Sequence, residues 1–303
     1  MSTSLPTAEP ARSSLAVWVL AARLPTLTAA AAPVAIGSGV AIHDEVARLG
    51  PALAALLGAL AIQVGANLAN DVADFRRGAD TSERIGPPRV TQLGLLGQRQ
   101  VLVGMWTAFG LATLAGLYLV AVAGWPVIAV GLASMAAALA YTGGPWPFGY
   151  HGLGEVFTFV FFGLVAVVGT YFVQAQEVSA GAFAAAVPVG LTVSALLMVN
   201  NIRDIATDAA AAKHTLAVLI GRRASRWLFL ATLALAYVWP AGLWLSGAFS
   251  AWTLLAWLSL PLAVPPTRAV LASTEGPRLN AALRATARLH LVLAVLLAVG
   301  LAL

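Results

Sequence analysis

Long uncharged apolar runs recur along this chain, and they constrain its fold more than any other feature. Runs of about 20 residues are long enough to cross about 30 Å of hydrocarbon, and they fall at roughly 24–42, 51–69, 101–123, 125–142, 156–175, 180–199, 227–246, 249–267 and 285–303. A chain with nine such runs satisfies its backbone polar groups in lipid only by making helices, because closed barrels need short alternating strands instead. The expected fold is therefore all-α, a polytopic membrane bundle of about nine transmembrane helices. Composition agrees: 60% of residues are hydrophobic and only 10% charged, against about 25% charged in soluble domains.

The basic residues test the count independently. With the N-terminus on the cytoplasmic side, the inner segments contain Arg12 and Arg23; Arg76, Arg77, Arg84, Arg89 and Arg99; Arg203, Lys213, Arg222, Arg223 and Arg226; and Arg268, Arg278, Arg284 and Arg288. Only Arg48 is left outside. Such asymmetry matches the preference of Lys and Arg for cytoplasmic loops, and one missed or invented span would scramble it. The expectation is a multi-pass protein of the cell membrane, with its N-terminus and long loops cytoplasmic and its C-terminus outside. The basic excess then needs no nucleic-acid partner. Residues 1–14 are polar and read as a disordered tail. Leu15 to Ala22 are apolar but too short to span and are followed by Arg23, so they read as an interfacial helix. Residues 15–303 form one domain.

The chain has no cysteine, which excludes disulfides, thiolate metal sites and Cys nucleophiles. His43, His151 and His290 are scattered and form no metal cluster. The acids are concentrated instead. Asn67, Asn70, Asp71 and Asp74 lie at i, i+3, i+4 and i+7, one stripe on a helix that continues past the second span. Gly78 is a helix stop, and Asp80 beyond it can fold back toward the stripe. Asn200, Asn201, Arg203, Asp204 and Asp208 end the sixth span, with Asp204 and Asp208 on one face.

Carboxylates gathered at one membrane edge repel one another unless cations lie between them. Oxygen ligands without imidazole or thiolate favour magnesium, which commonly bridges carboxylates to phosphates. Arg76, Arg77, Arg84, Arg89, Arg203 and Lys213, the only lysine, suit a diphosphate anion. The competing readings are ordinary solvated loop acids paired with loop arginines, or a cation-coupled transporter. The second would place its acids near the bilayer midplane in corresponding halves of the chain.

Asn70-Asp71-x-x-Asp74 and Asp204-x-x-x-Asp208 resemble the paired motifs of the UbiA-type intramembrane prenyltransferases. Further likeness lies in Gly86-Pro-Pro-Arg-Val-Thr-Gln92, in Gly144-Pro-Trp-Pro-Phe-Gly-Tyr150 with Gly152-Leu-Gly-Glu155, in Gly169-Thr-Tyr-Phe-Val-Gln174, and in Asn200 through Lys213-His-Thr-Leu-Ala-Val218. These stretches are most similar to the branch acting in menaquinone biosynthesis, the 1,4-dihydroxy-2-naphthoate polyprenyltransferases, rather than to the 4-hydroxybenzoate or tetrapyrrole branches. Asp80, two residues after Gly78, fits that branch. His214 departs from it by standing where a second basic residue is expected.

The resemblance implies a cytoplasmic-facing active-site cavity, with Mg2+ held by Asp71, Asp74, Asp204 and Asp208 and a polyprenyl diphosphate donor whose C1–O bond ionises. Lys213 joins the four aspartates as a catalytic candidate. Asn67, Asn70, Arg76, Arg77, Asp80, Arg89, Gln92, Tyr141, Tyr150, Asn200, Asn201 and Arg203 are candidate substrate contacts, the two tyrosines as aromatic faces for an allylic cation. The implied acceptor is 1,4-dihydroxy-2-naphthoate, the implied product demethylmenaquinone, and the prenyl tail would lie in membrane lipid. Glu155 is either a general base or acceptor contact, or a helix cap or ion-pair partner.

Overall fold

A computed structural model describes residues 13–79 and 84–303. The described residues are helical throughout their ordered elements, with no strand among them. Ser13 caps helix α1 (Ser14–Ala22); the rest of the expected disordered tail, and Asp80, lie outside the described residues. Arg23, in the left-handed region at φ 53°, breaks the chain between α1 and α2 (Leu27–His43), with a 3-10 turn over Leu24–Thr26. Then come α3 (Leu49–Arg76), α4 (Gln98–Ala123), α5 (Pro126–Ala140) and the short α6 (Gly154–Thr158). The last of these continues through a π-helical stretch, Phe159–Val165, into α7 (Ala166–Ala175). The chain finishes with α8 (Ala180–Ala210), α9 (Leu216–Leu245), a 3-10 segment (Ala251–Ser259) leading into α10 (Leu260–Ala272), and α11 (Gly276–Ala302).

Eight of the helical segments are long and apolar enough to cross a membrane. α5 is shorter, at about 22 Å for its 15 residues, yet it too runs between the two ends of the bundle. At one end of the bundle, Gln176 after α7 donates to the Val122 carbonyl of α4. The same end holds the Arg48 amide on Gln174 and the Tyr171 hydroxyl on Asp44. At the opposite end, Arg77 donates to the carbonyls of Thr142 and Gly144, just past α5. His214 donates its amide to the Tyr150 carbonyl, Asn280 reaches the Ile85 carbonyl, and Arg226 reaches that of Ser273. The chain thus alternates between two ends as nine crossings require, and Arg77, Arg84, Arg89, Arg203 and Lys213 all gather at the second, basic end.

α8 is the central helix, with Ala182, Ala186, Val189, Ala195 and Val199 buried in a core shared with α2, α7, α9 and α11. α4 instead turns Leu111, Leu114 and Leu117 outward, as a lipid-facing helix must. Close approach depends on small residues. A Cβ added at Gly39 would lie 2.5 Å from the Ala298 carbonyl oxygen of α11, and one at Gly163 would lie 2.8 Å from the Gly190 Cα.

Candidate active site

The α3 helix runs unbroken through Asn67, Asn70, Asp71 and Asp74 and ends before Gly78, whose φ is +69°, so the stripe and its stop form as the spacing predicts. Its members do different work. Asn67, expected in the cavity, donates to the Ala22 carbonyl and the Thr26 hydroxyl and so braces the break between α1 and α2. The side-chain oxygen of Asn70 accepts from the Thr142 hydroxyl at 2.7 Å. Asp71 turns its two oxygens to the backbone amides of Val90 and Thr91, both at 3.3 Å, and lies 3.9 Å from the Arg23 guanidinium. That carboxylate shapes the loop carrying Arg89 and does not line the cleft.

Asp74 faces the cleft. Arg89 pairs with one oxygen at 2.6 Å while also reaching the Asn70 carbonyl. The Tyr150 hydroxyl donates to the other oxygen at 2.7 Å. Tyr150 is 6% exposed, and both Arg77 and Lys213 sit 5.5 Å from its ring centre. Burial, reinforced by the Asp74 charge, pushes its phenol well above the ordinary 10.0, so the hydroxyl remains a donor. Tyr150 is thus a pillar that seats Asp74 and gathers two cations.

On α8, Arg203 donates to its neighbour Asp204 through Nε at 2.7 Å and Nη2 at 2.5 Å. Two further bonds orient the guanidinium: Nη2 to Asn200 Oδ1 and Nη1 to Asn280 Oδ1, each 2.8 Å. One turn below Asp204, Asn201 donates to Glu155 at 2.8 Å. Glu155 is buried, and among the described residues its second oxygen has no hydrogen-bond partner and it makes no ion pair with an arginine. Lys213 lies 3.4 Å from Asp208 Oδ1, and Asp208 Oδ2 is buried with no hydrogen-bond partner among the described residues.

These two helices face each other across an open cleft of about 130 Å³ at the basic end, lined by Asp74, Arg84, Arg89, Asn200, Asp204, Thr207, Asp208 and Lys213 among others. Carboxylates from α3 and α8, distant in sequence, therefore meet at one opening. Arg76 bonds Gln98 on the exposed side instead, and Arg77 is spent on loop carbonyls and the Tyr150 face. Tyr141 packs edge-on against Phe148, 5.4 Å between ring centres, and Gln92 sits half-buried outside the cleft lining. Sequence reading named neither Thr207 nor Asn280 as a site residue; Thr207 had a signal, lying at i+3 from Asp204, and Asn280 had one in the Leu279-Asn280 to Arg288 stretch, which also resembles the family.

Each cleft carboxylate has a cation beside it, and among the described residues no three acids form a ready-made metal cage. The donor chemistry still suits a hard divalent ion. Asp74, Asp204 and Asp208 present oxygens to one opening, and Asp208 Oδ2 is a buried acceptor with no hydrogen-bond partner among the described residues. The adjacent cations suit an anion that would arrive with such an ion.

Known proteins resemble this chain in sequence and in fold. The UbiA prenyltransferase family profile matches residues 26–285. The 1,4-dihydroxy-2-naphthoate octaprenyltransferase of Mycobacterium tuberculosis is 41% identical over 290 residues, covering 96% of this chain and 98% of that protein. A UbiA homologue from Aeropyrum pernix K1 superposes with a TM-score of 0.66 at 16% identity, covering 88% of this chain and 94% of that one. Another from Archaeoglobus fulgidus, bound to DMAPP and Mg2+, gives 0.57 at 15% identity, with 76% and 78% covered. By sequence match over most of its length, this chain belongs to the UbiA prenyltransferase family.

Proposed function

We propose that this protein transfers a polyprenyl chain from its diphosphate to 1,4-dihydroxy-2-naphthoate, releasing diphosphate and carbon dioxide and giving demethylmenaquinone. The observation that carries the reading is the single cleft into which α3 and α8 bring Asp74, Asp204 and Asp208 beside Arg84, Arg89 and Lys213. The name of the mycobacterial relative supports the acceptor, and the Archaeoglobus homologue's title supports a prenyl diphosphate held with Mg2+.

A magnesium ion bound by Asp74, Asp204 and Asp208 would neutralise charge on the departing diphosphate. The protein's own groups do the rest. Arg84, Arg89 and Lys213 hold phosphate oxygens by charge-assisted bonds, and Tyr150 keeps the Asp74 carboxylate aimed at the opening. Asp71 fixes the loop that delivers Arg89. The donor C1–O bond breaks toward diphosphate, and a C–C bond forms at the carboxyl-bearing ring carbon. That ring then loses carbon dioxide and a proton. Surrounding apolar helices keep water from the allylic cation, and the long tail lies against lipid. The basic end of the bundle faces the cytoplasm in this reading, with the C-terminus outside, as the positive-inside bias requires.

The test is purified protein in nanodiscs with magnesium, labelled polyprenyl diphosphate and each acceptor separately. Labelled demethylmenaquinone with the naphthoate, lost in Asp204→Asn and Asp208→Asn, is the expected result. A product only with 4-hydroxybenzoate or a tetrapyrrole would overturn the acceptor, and transfer surviving in both variants would overturn the site.

A further inference from the structure

Asn280 is not itself part of the cleft lining, yet it bonds a lining residue, Ile85, and joins two of the cleft's walls. It comes from the first turns of α11, far along the chain from α3 and α8. Both ends of its amide are used. Its oxygen accepts from Arg203 Nη1 at 2.8 Å, and its nitrogen donates to the Ile85 carbonyl at 2.9 Å. Arg203 has a side chain with no exposure to solvent, and its other donors all serve Asp204 and Asn200. The guanidinium is planar and rigid, so fixing Nη1 fixes the edge that grips Asp204. On the other side, Ile85 belongs to the loop that also presents Arg84 and Arg89 to the cleft. A side chain at Gly276, at the start of the same helix, would run into Ile85, so loop and helix are in direct contact there.

We propose that Asn280 is a positioning residue for donor binding: through Arg203 it sets the Asp204 carboxylate, and through Ile85 it ties the arginine-bearing loop to the same point. The inference rests on the reading of the cleft as the donor-diphosphate site, and it does not depend on which acceptor is used. Asparagine suits the place because one amide supplies an acceptor and a donor in fixed relation. Aspartate would keep the acceptor for Arg203 and lose the donor to Ile85; alanine would lose both.

The experiment is calorimetric titration of the full-length protein in nanodiscs with geranyl diphosphate and magnesium, without acceptor, followed by steady-state kinetics with the naphthoate. N280A frees Arg203 from a charge-assisted bond and the Ile85 carbonyl from a neutral one, so its donor Kd is expected to rise about tenfold or more. N280D is expected to recover a good part of that loss, because the Arg203 contact returns. The naphthoate KM is expected to stay within about twofold in both, because the partners of Asn280, Arg203 and Ile85, serve the Asp204 and arginine-loop groups assigned to the donor diphosphate. If N280A does not fold, N280Q keeps the amide on a longer stem, and a Kd rise of about threefold or more is expected from the displaced contact. A donor Kd within twofold of wild type in N280A or N280Q, or donor and acceptor constants rising together, would overturn the proposal. Wild-type protein that binds geranyl diphosphate but turns over no naphthoate refutes the acceptor alone and leaves the Asn280 comparison intact. Wild type that binds no geranyl diphosphate overturns both.

Discussion

Tyr150→Phe removes one oxygen atom from the structure and nothing else. The hydroxyl donates to Asp74 Oδ1 at 2.7 Å, while Arg89 holds the other oxygen at 2.6 Å. Both partners are almost completely buried, at 6% and 2% exposure, so water replaces the lost donor poorly. A hydrogen bond to a charged group contributes about 1.5–3 kcal/mol. The lower part of that range applies, because Arg89 still neutralises the carboxylate and the cleft is open on one side; about 1.5–2 kcal/mol is expected. At about 1.4 kcal/mol per decade, that corresponds to a roughly tenfold to thirtyfold loss in kcat/KM for the donor if Asp74 must be aimed for the reaction. The ring remains, so Arg77 and Lys213 keep their aromatic face. Tyr150→Leu removes that as well and should lose more, about 0.5–1 kcal/mol for each cation–ring contact. The assay is steady-state kinetics with each substrate varied in turn, alongside thermal unfolding in the same detergent. If Y150F matches wild type within twofold in kcat/KM for the donor, with an unchanged unfolding midpoint, the view of Tyr150 as the residue that seats Asp74 is refuted.

Asp71 and Asp208 should separate structure from chemistry. Asp71→Asn puts an amide donor against one of the two backbone N–H groups it now satisfies, costing about 1–3 kcal/mol of stability in denaturant titrations. Asp208→Asn leaves the backbone hydrogen bonds in place and weakens the 3.4 Å contact with Lys213, so stability should fall by only about 0.5–1.5 kcal/mol while product formation falls about a hundredfold or more. The raised Tyr150 phenol gives an alkaline signature: the folded protein holds a proton that the unfolded chain releases above pH 10.0. This part of the stability is complete below that pH and is lost as pH rises beyond it, so unfolding midpoints should fall less steeply in Y150F than in wild type between about pH 9 and 11. In Gly39→Ala the added methyl meets the Ala298 carbonyl, and the α2–α11 contact should weaken by about 1–3 kcal/mol, read as a lower midpoint with an unchanged donor KM.

The crossings, their alternation and the α3 stripe with its glycine stop were legible because each is a local property of the chain. Hydropathy marks lipid-crossing length, arginine placement marks the two ends, and a spacing of i, i+3, i+4 and i+7 defines one helix face whatever surrounds it. The direction in which that face points was not legible. In a soluble bundle the apolar stripe would reveal the rotation of each helix, but here lipid-facing and core-facing sides are equally apolar. Sequence therefore assigned Asp71 and Asp74 the same role, although one meets loop amides and the other the cleft. Asn67 and Tyr150 were expected in the cavity for the same reason. Their partners, Ala22 and Asp74, come from distant segments, and nothing in the local pattern names them. The break at Gly221, where φ is +76° inside α9, was not legible from hydropathy either, whereas the one at Arg23 was.

The central claim is that the carboxylates of α3 and α8 hold a divalent ion and the donor diphosphate between them. Crystals grown with Mn2+ and geranyl diphosphate, measured at the manganese edge, test it most directly. The account predicts an anomalous peak in the cleft bounded by Asp74, Asp204 and Asp208, with diphosphate density reaching Arg89 or Lys213. A peak elsewhere on the protein, or diphosphate bound away from these residues with the cleft empty, would contradict it.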